Sequence, residues 1–168
     1  MTLRELPPWE TRPIEVANLL NPAFIAVLLR QTSIGYQSEV QDGMPYALPF
    51  LTLPLVLHKP TRESLPSTTR TTLHTWLVSQ PRLQVGFYER TRGLVPFVKE
   101  GLIFGLSSGQ LTMMESGCLL APKARQRRLP WPTDSEPFVC HKKAEFVGRW
   151  FARAGTIDTI FTLLGVQV

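Results

Sequence analysis

Histidine, cysteine and aspartate are scarce in this chain, and each shortage removes a class of chemistry. The 168 residues include three histidines and two cysteines, and aspartate stands only at 42, 134 and 158. His58, His74 and His141 form no HExxH or other spaced metal pattern. Cys118 and Cys140 stand in no CxxC pair and cannot make a disulfide framework. The soft-ligand trio Cys118, Cys140 and His141 is too irregularly spaced to read as a zinc site. Cysteine nucleophiles need a thiolate beside a base, but neighbours such as Cys140 and His141 point apart on a helix or strand. GLIFGLSSG at 101–109 lacks the Lys-Ser/Thr pair of a phosphate loop. No DxD or ExK pattern supplies paired acids. The reading is of a protein that is not an enzyme, with no catalytic, cofactor-binding or metal-binding residue and no cofactor.

Long apolar runs are also missing. No stretch of eighteen apolar residues occurs, and Met1 to Glu10 carries Arg4, Glu5 and Glu10 without an apolar core. Neither a membrane span nor a signal peptide is expected, and the cytoplasm is the expected location. Charged residues make up only 18%, against a norm of about 25%. The hydrophobic share, 43%, is ordinary. Such a surface either keeps apolar area for a partner or consists of short polar loops. The net charge of +5 suits nucleic acid or an acidic protein and decides between neither. A chain of this length reads as one domain, able to bury roughly 70% of its unfolded surface.

What is plentiful is proline, at fifteen residues, which shortens helices. Residues 1–14 read as a flexible N-terminal arm, and 15–168 as a single domain. Asn21-Pro22 is a helix start, followed by an apolar run from Ala23 to Leu29 that belongs in a core. Gly35 and the polar stretch to Gly43 should end that helix. PYALPFLTLPLVL at 45–57 alternates like a strand, but its interior prolines favour a short, kinked, buried helix. HKPTRESLP at 58–66 reads as a turn-rich connection. Ser67 or Thr68 should cap a helix running to Ser79, with Leu73, Trp76 and Leu77 on one face. Pro81 opens another helix, with Leu83, Phe87, Leu94, Phe97 and Val98 inside, ending near Leu106. Gln110–Met114 and Cys118–Ala121 flank Glu115-Ser116-Gly117, which is a hairpin signal. The expected fold is therefore mainly α with a small β-hairpin: a winged helix-turn-helix-like core at 45–121, with the hairpin as wing.

A Pro-rich linker at 122–141 separates this core from C-terminal helices at 142–168. The linker carries Lys123, Arg125, Arg127 and Arg128 directly after the hairpin. These four cations suit DNA phosphates, an acidic protein partner or a solvated loop. In the last segment Val147, Trp150, Phe151 and Ala154 recur at helical spacing, with Lys142, Lys143, Arg149 and Arg153 between them. Gly155 suits a helix end and Thr156 the next helix start. Arg149 and Arg153 form one ridge at i,i+4, and Trp150 beside them has interface composition or is simply core.

Three segments carry a resemblance. NPAF at Asn21–Phe24, LPLVLHKPTRESLP at Leu53–Pro66 and KAEFVGRWFARAGTIDTIFTLLGV at Lys143–Val166 resemble, in order, the middle component of three-component ABC systems (ABC-3C), conflict systems related to Lamassu-type antiphage defence. The resemblance implies a non-catalytic adaptor between an SMC/Rad50-like ABC ATPase and an effector protein such as a nuclease, with double-stranded DNA contacted through the complex and no membrane. It implies no active-site residues. The alternative is a winged-helix DNA-binding regulator or sensor. Composition nominates a protein partner face from two segments: His58, Lys59 and Arg62 on a loop stiffened by Pro60, and Lys143, Arg149, Trp150 and Arg153 on the last long helix.

Overall fold

The computed structural model describes residues 6–123 and 129–166. Its first described residues fold back on the body. A 3₁₀ turn at Trp9–Thr11 precedes α1 (Ile14–Leu19). Arg12 between them donates to both carboxylate oxygens of Glu100, at 2.7 and 2.5 Å, with its side chain only 5% exposed. The expected arm is thus tied down over its described part, because a nearly buried guanidinium has found a bidentate partner.

Asn21 starts α2 (Pro22–Gln37) as its composition predicts: its side chain accepts from the Ala23 N–H at 2.8 Å, and Pro22 takes the first turn. Ile25, Ala26, Leu28 and Leu29 are fully buried, so α2 is the central helix. Gly35 does not end it. A Cβ there would lie 2.1 Å from the Glu145 carbonyl oxygen, so this glycine is where another helix backbone crosses.

After β1 (Met44–Pro45) the apolar run forms α3 (Pro49–Val56), helical despite Pro54 and buried from Leu51 to Val56. The expected connection at 58–66 is helical instead, as α4 (Lys59–Ser64), with Pro60 in the first turn where its missing N–H costs nothing. α5 (Leu73–Ser79) is capped by Thr72, whose hydroxyl accepts from the Thr75 N–H at 3.1 Å, rather than by Ser67 or Thr68. Leu73, Trp76 and Leu77 are its buried face. The helix opened by Pro81 divides into α6 (Pro81–Gln84) and α7 (Phe87–Ser107), because Gly86 adopts φ +70° between them.

The hairpin is present as β2 (Thr112–Met113) and β3 (Cys118–Leu120). β1 pairs with the free edge of β3, Met44 opposite Leu119, giving a three-stranded antiparallel sheet of order β1-β3-β2. Two residues around Pro45 are too few for sequence alternation to reveal. α8 (Glu136–Arg153) begins six residues before the expected Lys142, with Pro137 in its first turn. Cys140 and His141 therefore lie on a helix and not in the linker. α9 (Ile157–Leu163) follows Gly155, at φ +103°, and is capped by the Thr156 hydroxyl.

α2 packs between α7 and α8. It runs in the same direction as α8: Gln31 reaches Glu145, Gly148 sits against Thr32 and Tyr36, and Glu39 reaches Arg153. A Cβ on Gly148 would lie 2.0 Å from the Thr32 carbonyl oxygen, and one on Gly101 of α7 would lie 2.2 Å from Ile25 Cγ2. Glycines at both crossings bring the helices close enough for the small core to close around α2.

Candidate partner interface

The two segments nominated as a partner face lie at opposite ends of α8. Arg62 in α4 reaches Glu136 at the helix start, whereas Arg153 ends the helix. Those ends are about 25 Å apart at 1.5 Å per residue.

Of the nominated His58, Lys59 and Arg62, only Lys59 is well exposed, and it pairs loosely with Glu63 at 3.9 Å. His58 closes on Thr61, Nδ1 to hydroxyl at 2.7 Å. Burial, and then the charges of Arg90 and Arg62, hold its imidazole below the ordinary histidine pKa. Arg62 is 3% exposed. Its guanidinium donates to the Val56 carbonyl at 2.8 Å and to Glu136. The sequence offered Arg62 as a surface charge, but the helical turn at 59–64 directs it onto the C-terminal end of α3.

In the second segment Trp150 is 1% exposed, and its indole N–H donates to the Thr71 carbonyl at 2.7 Å. It packs edge-on against Trp76. Trp150 is core, as is Phe151. Arg149 is half-buried, with its Nε lacking a hydrogen-bond partner. Lys143 lies over the Phe146 ring at 5.7 Å. Arg153 is exposed and bonds Glu39 at 3.0 Å. Of the basic cluster, Lys123 is exposed beyond β3, and Arg125, Arg127 and Arg128 lie outside the described residues.

Burial governs the nucleophile and imidazole candidates. Cys140 is buried, and burial pushes its thiol above the ordinary range, so it stays protonated at neutral pH. His141 is not a surface imidazole. It is 9% exposed, stacks on Phe138 and meets Trp131 edge-on, and its Nδ1 has no hydrogen-bond partner. Burial first, then Lys142 and Arg30, lowers its pKa against the opposing pull of Glu145. The folded state thus binds fewer protons at this site than the unfolded chain does. Stability from His141 is present above the unfolded value near ~6.5 and is lost as pH falls through the folded value. His141→Phe should flatten the loss of urea stability between about pH 7 and pH 5; an unchanged pH slope would assign that loss to other groups. No group of three or more His, Cys, Asp or Glu side chains comes together to hold a metal among the described residues.

Grooves open on the surface of the described residues. One of about 560 Å³ lies between α2, the chain after β3 and α8. Its polar groups largely satisfy one another: Gln31 bonds Glu145 at 2.7 Å, Arg30 the Pro122 carbonyl at 3.1 Å, and Gln37 the Ala121 N–H at 2.7 Å. Another, of about 700 Å³, is lined by Trp9, Arg12, Ala23, Glu100 and Phe104. Ile103, next to Phe104 in sequence, is 68% exposed, and Val85, between α6 and α7, is 76% exposed. These apolar surface residues escaped sequence reasoning, which assigned apolar positions to cores. The one available signal was position, and only for Val78, which falls off the α5 stripe that contains Leu73, Trp76 and Leu77.

No helix among the described residues is long and apolar enough to cross a membrane. Comparison with curated proteins and with solved structures finds no match. The family described as "ABC-three component (ABC-3C) system Middle Component 3" matches over residues 9–168.

Proposed function

Because the chain belongs to the ABC-three component system Middle Component 3 family, we propose that it is a cytoplasmic, non-catalytic adaptor. In this reading it links an SMC/Rad50-like ABC ATPase to an effector, such as a nuclease, in a Lamassu-related antiphage or antiplasmid system. The family match along nearly the whole chain carries the reading. The surface is compatible with it: Ile14, Leu19, Val78, Val85 and Ile103 are each at least 67% exposed and leave apolar area available to a partner. The site chemistry agrees, since Cys140 and His141 are packed into the body.

The test is co-purification. Tagged full-length chain should capture each of the other two components of its system, separately and together, in a fixed ratio. Turnover of nucleotide, DNA or peptide by the purified chain alone, or capture of neither component, would end the adaptor reading.

A winged-helix DNA-binding reading has one specific observation in its favour. The order α2, β1, α3, then α7 followed by the β2–β3 hairpin, with sheet order β1-β3-β2, suits a helix-turn-helix with a wing. Against it, Arg90 near the start of α7 turns back to the Leu83 and Val85 carbonyls at 2.9 and 3.0 Å. If Lys123, Arg125, Arg127 and Arg128 contact phosphates, replacing all four by alanine should flatten the salt slope of duplex binding by roughly 3–4. An unchanged slope would leave that cluster to a protein partner or to solvent.

A further inference from the structure

From Ser64 to Tyr88 the chain contains no acidic residue, whereas Arg70, His74 and Arg82 fall within it. This stretch runs from the end of α4 through α5 and α6 to the beginning of α7. Its inner face is fixed: Leu73, Trp76 and Leu77 are buried. Hydrogen bonds also hold the short elements together. Gln84 donates to the Leu77 carbonyl at 3.2 Å, and Arg90 clamps the Leu83 and Val85 carbonyls. The outer face is therefore held by a rigid scaffold, so little ordering is needed on binding.

That outer side carries exposed apolar side chains and two exposed arginines, with exposed Glu89 directly after Tyr88. Val78 is 67% exposed, Val85 76% and Tyr88 43%. His74 lies one turn before Val78 on α5 and is exposed as well. Arg70 and Arg82 are exposed, and neither joins an ion pair among the described residues. Two largely exposed valines, with Arg82 between them in sequence and in no ion pair among the described residues, suit a partner with apolar side chains flanked by carboxylates. A phosphate backbone would use the arginines but leave both valines against a charged, hydrated surface; nucleic-acid interfaces are more polar and more densely basic than this.

We propose that the face carrying Val78, Arg82, Val85 and Tyr88 docks an acidic amphipathic helix of one of the other two components of the system. The inference rests on the adaptor reading and adds the place and chemistry of one contact. The valines meet the apolar stripe of that helix, and Arg82 pairs with a carboxylate at its edge.

Binding of the full-length chain to each component, and to a short DNA duplex, tests this. Val78→Asp with Val85→Asp should weaken one component by on the order of a hundredfold and leave the other component and the melting temperature unchanged. Arg82→Glu should weaken the same component by roughly tenfold and reduce the salt dependence of its binding. Wild-type affinity of the double variant for both components overturns the proposal. So does weakened duplex binding with both components retained, which makes the face a nucleic-acid surface. If the double variant does not fold, Arg82→Glu decides alone, and unchanged affinity at low salt overturns the proposal. Wild-type chain that captures neither component overturns the adaptor reading together with the inference; capture of both with unaffected variants overturns the inference only.

Discussion

Gly148→Ala is expected to destabilise the fold by about 2 kcal/mol or more, a large share of the 5–15 kcal/mol that holds a domain of this size. The added methyl would meet the Thr32 carbonyl oxygen at 2.0 Å, the Tyr36 nitrogen at 2.8 Å and the Thr32 carbonyl carbon at 2.9 Å. All three are backbone atoms of α2, so no side chain can rotate away. α8 must back off, which loosens the packing of Val147, Trp150 and Phe151, all within 1% of complete burial. Overpacking of this kind costs about 1–3 kcal/mol, and more where backbone must move. Against it stands the helix preference for alanine over glycine, about 1 kcal/mol. Gly93, within α7, is the control. A Cβ there meets nothing within 4 Å, so Gly93→Ala should gain roughly 0.5–1 kcal/mol. Urea unfolding measures both. A Gly148→Ala protein as stable as Gly93→Ala would show that α2 and α8 are not in backbone contact.

Arg62→Ala should cost about 3 kcal/mol, and the loss should appear in stability before it appears in any partner binding. The guanidinium is 4% exposed and bonds the Val56 carbonyl at the end of α3 as well as Glu136. Removing it leaves that carbonyl buried with only the weak Cys140 Sγ contact at 3.7 Å, and opens a void where the side chain packed. Glu136 is 64% exposed, so its freed carboxylate is rehydrated at little cost. Glu136→Gln keeps an oxygen for Arg62 and should cost only about 1 kcal/mol. Equal melting temperatures for Arg62→Ala and wild type would return Arg62 to the surface and to the partner face from which its burial removes it. The same logic reshapes charge reversal on α8. Arg149 is half-buried, so its reversal confounds binding with stability; exposed Arg153 is the cleaner probe.

How much of this was legible depended on the range of the interaction. Asn21, Thr156 and Gly155 announced helix ends correctly because a cap is satisfied within a few residues. The Leu73, Trp76 and Leu77 stripe and the Glu115-Ser116-Gly117 turn were legible for the same reason. The family resemblance was legible from three idiosyncratic segments, and the match over 9–168 places the chain in that family. β1 was not legible, because two residues become a strand only through the β3 edge that meets them. The burial of Arg62 and Trp150 is not legible for the opposite reason: their residue types are common on interfaces, and only packing shows the hydrogen bonds each makes inside the chain.

By itself, then, the sequence determined the local elements: where helices begin, which stripes are apolar, that a hairpin follows the long helix, and that paired acids and spaced metal ligands are missing. These follow from dihedral preference and short-range hydrogen bonding, which act over about four residues. Tertiary structure alone decided which polar groups remain available. It drew Arg62 beneath α4, Arg12 onto Glu100 and His141 against Trp131, and it left Val78 and Val85 in water. The physical reason is that exposure is a property of the crossing of α2 with α7 and α8, set by Gly35, Gly101 and Gly148, and no residue carries that crossing in its own neighbourhood along the chain.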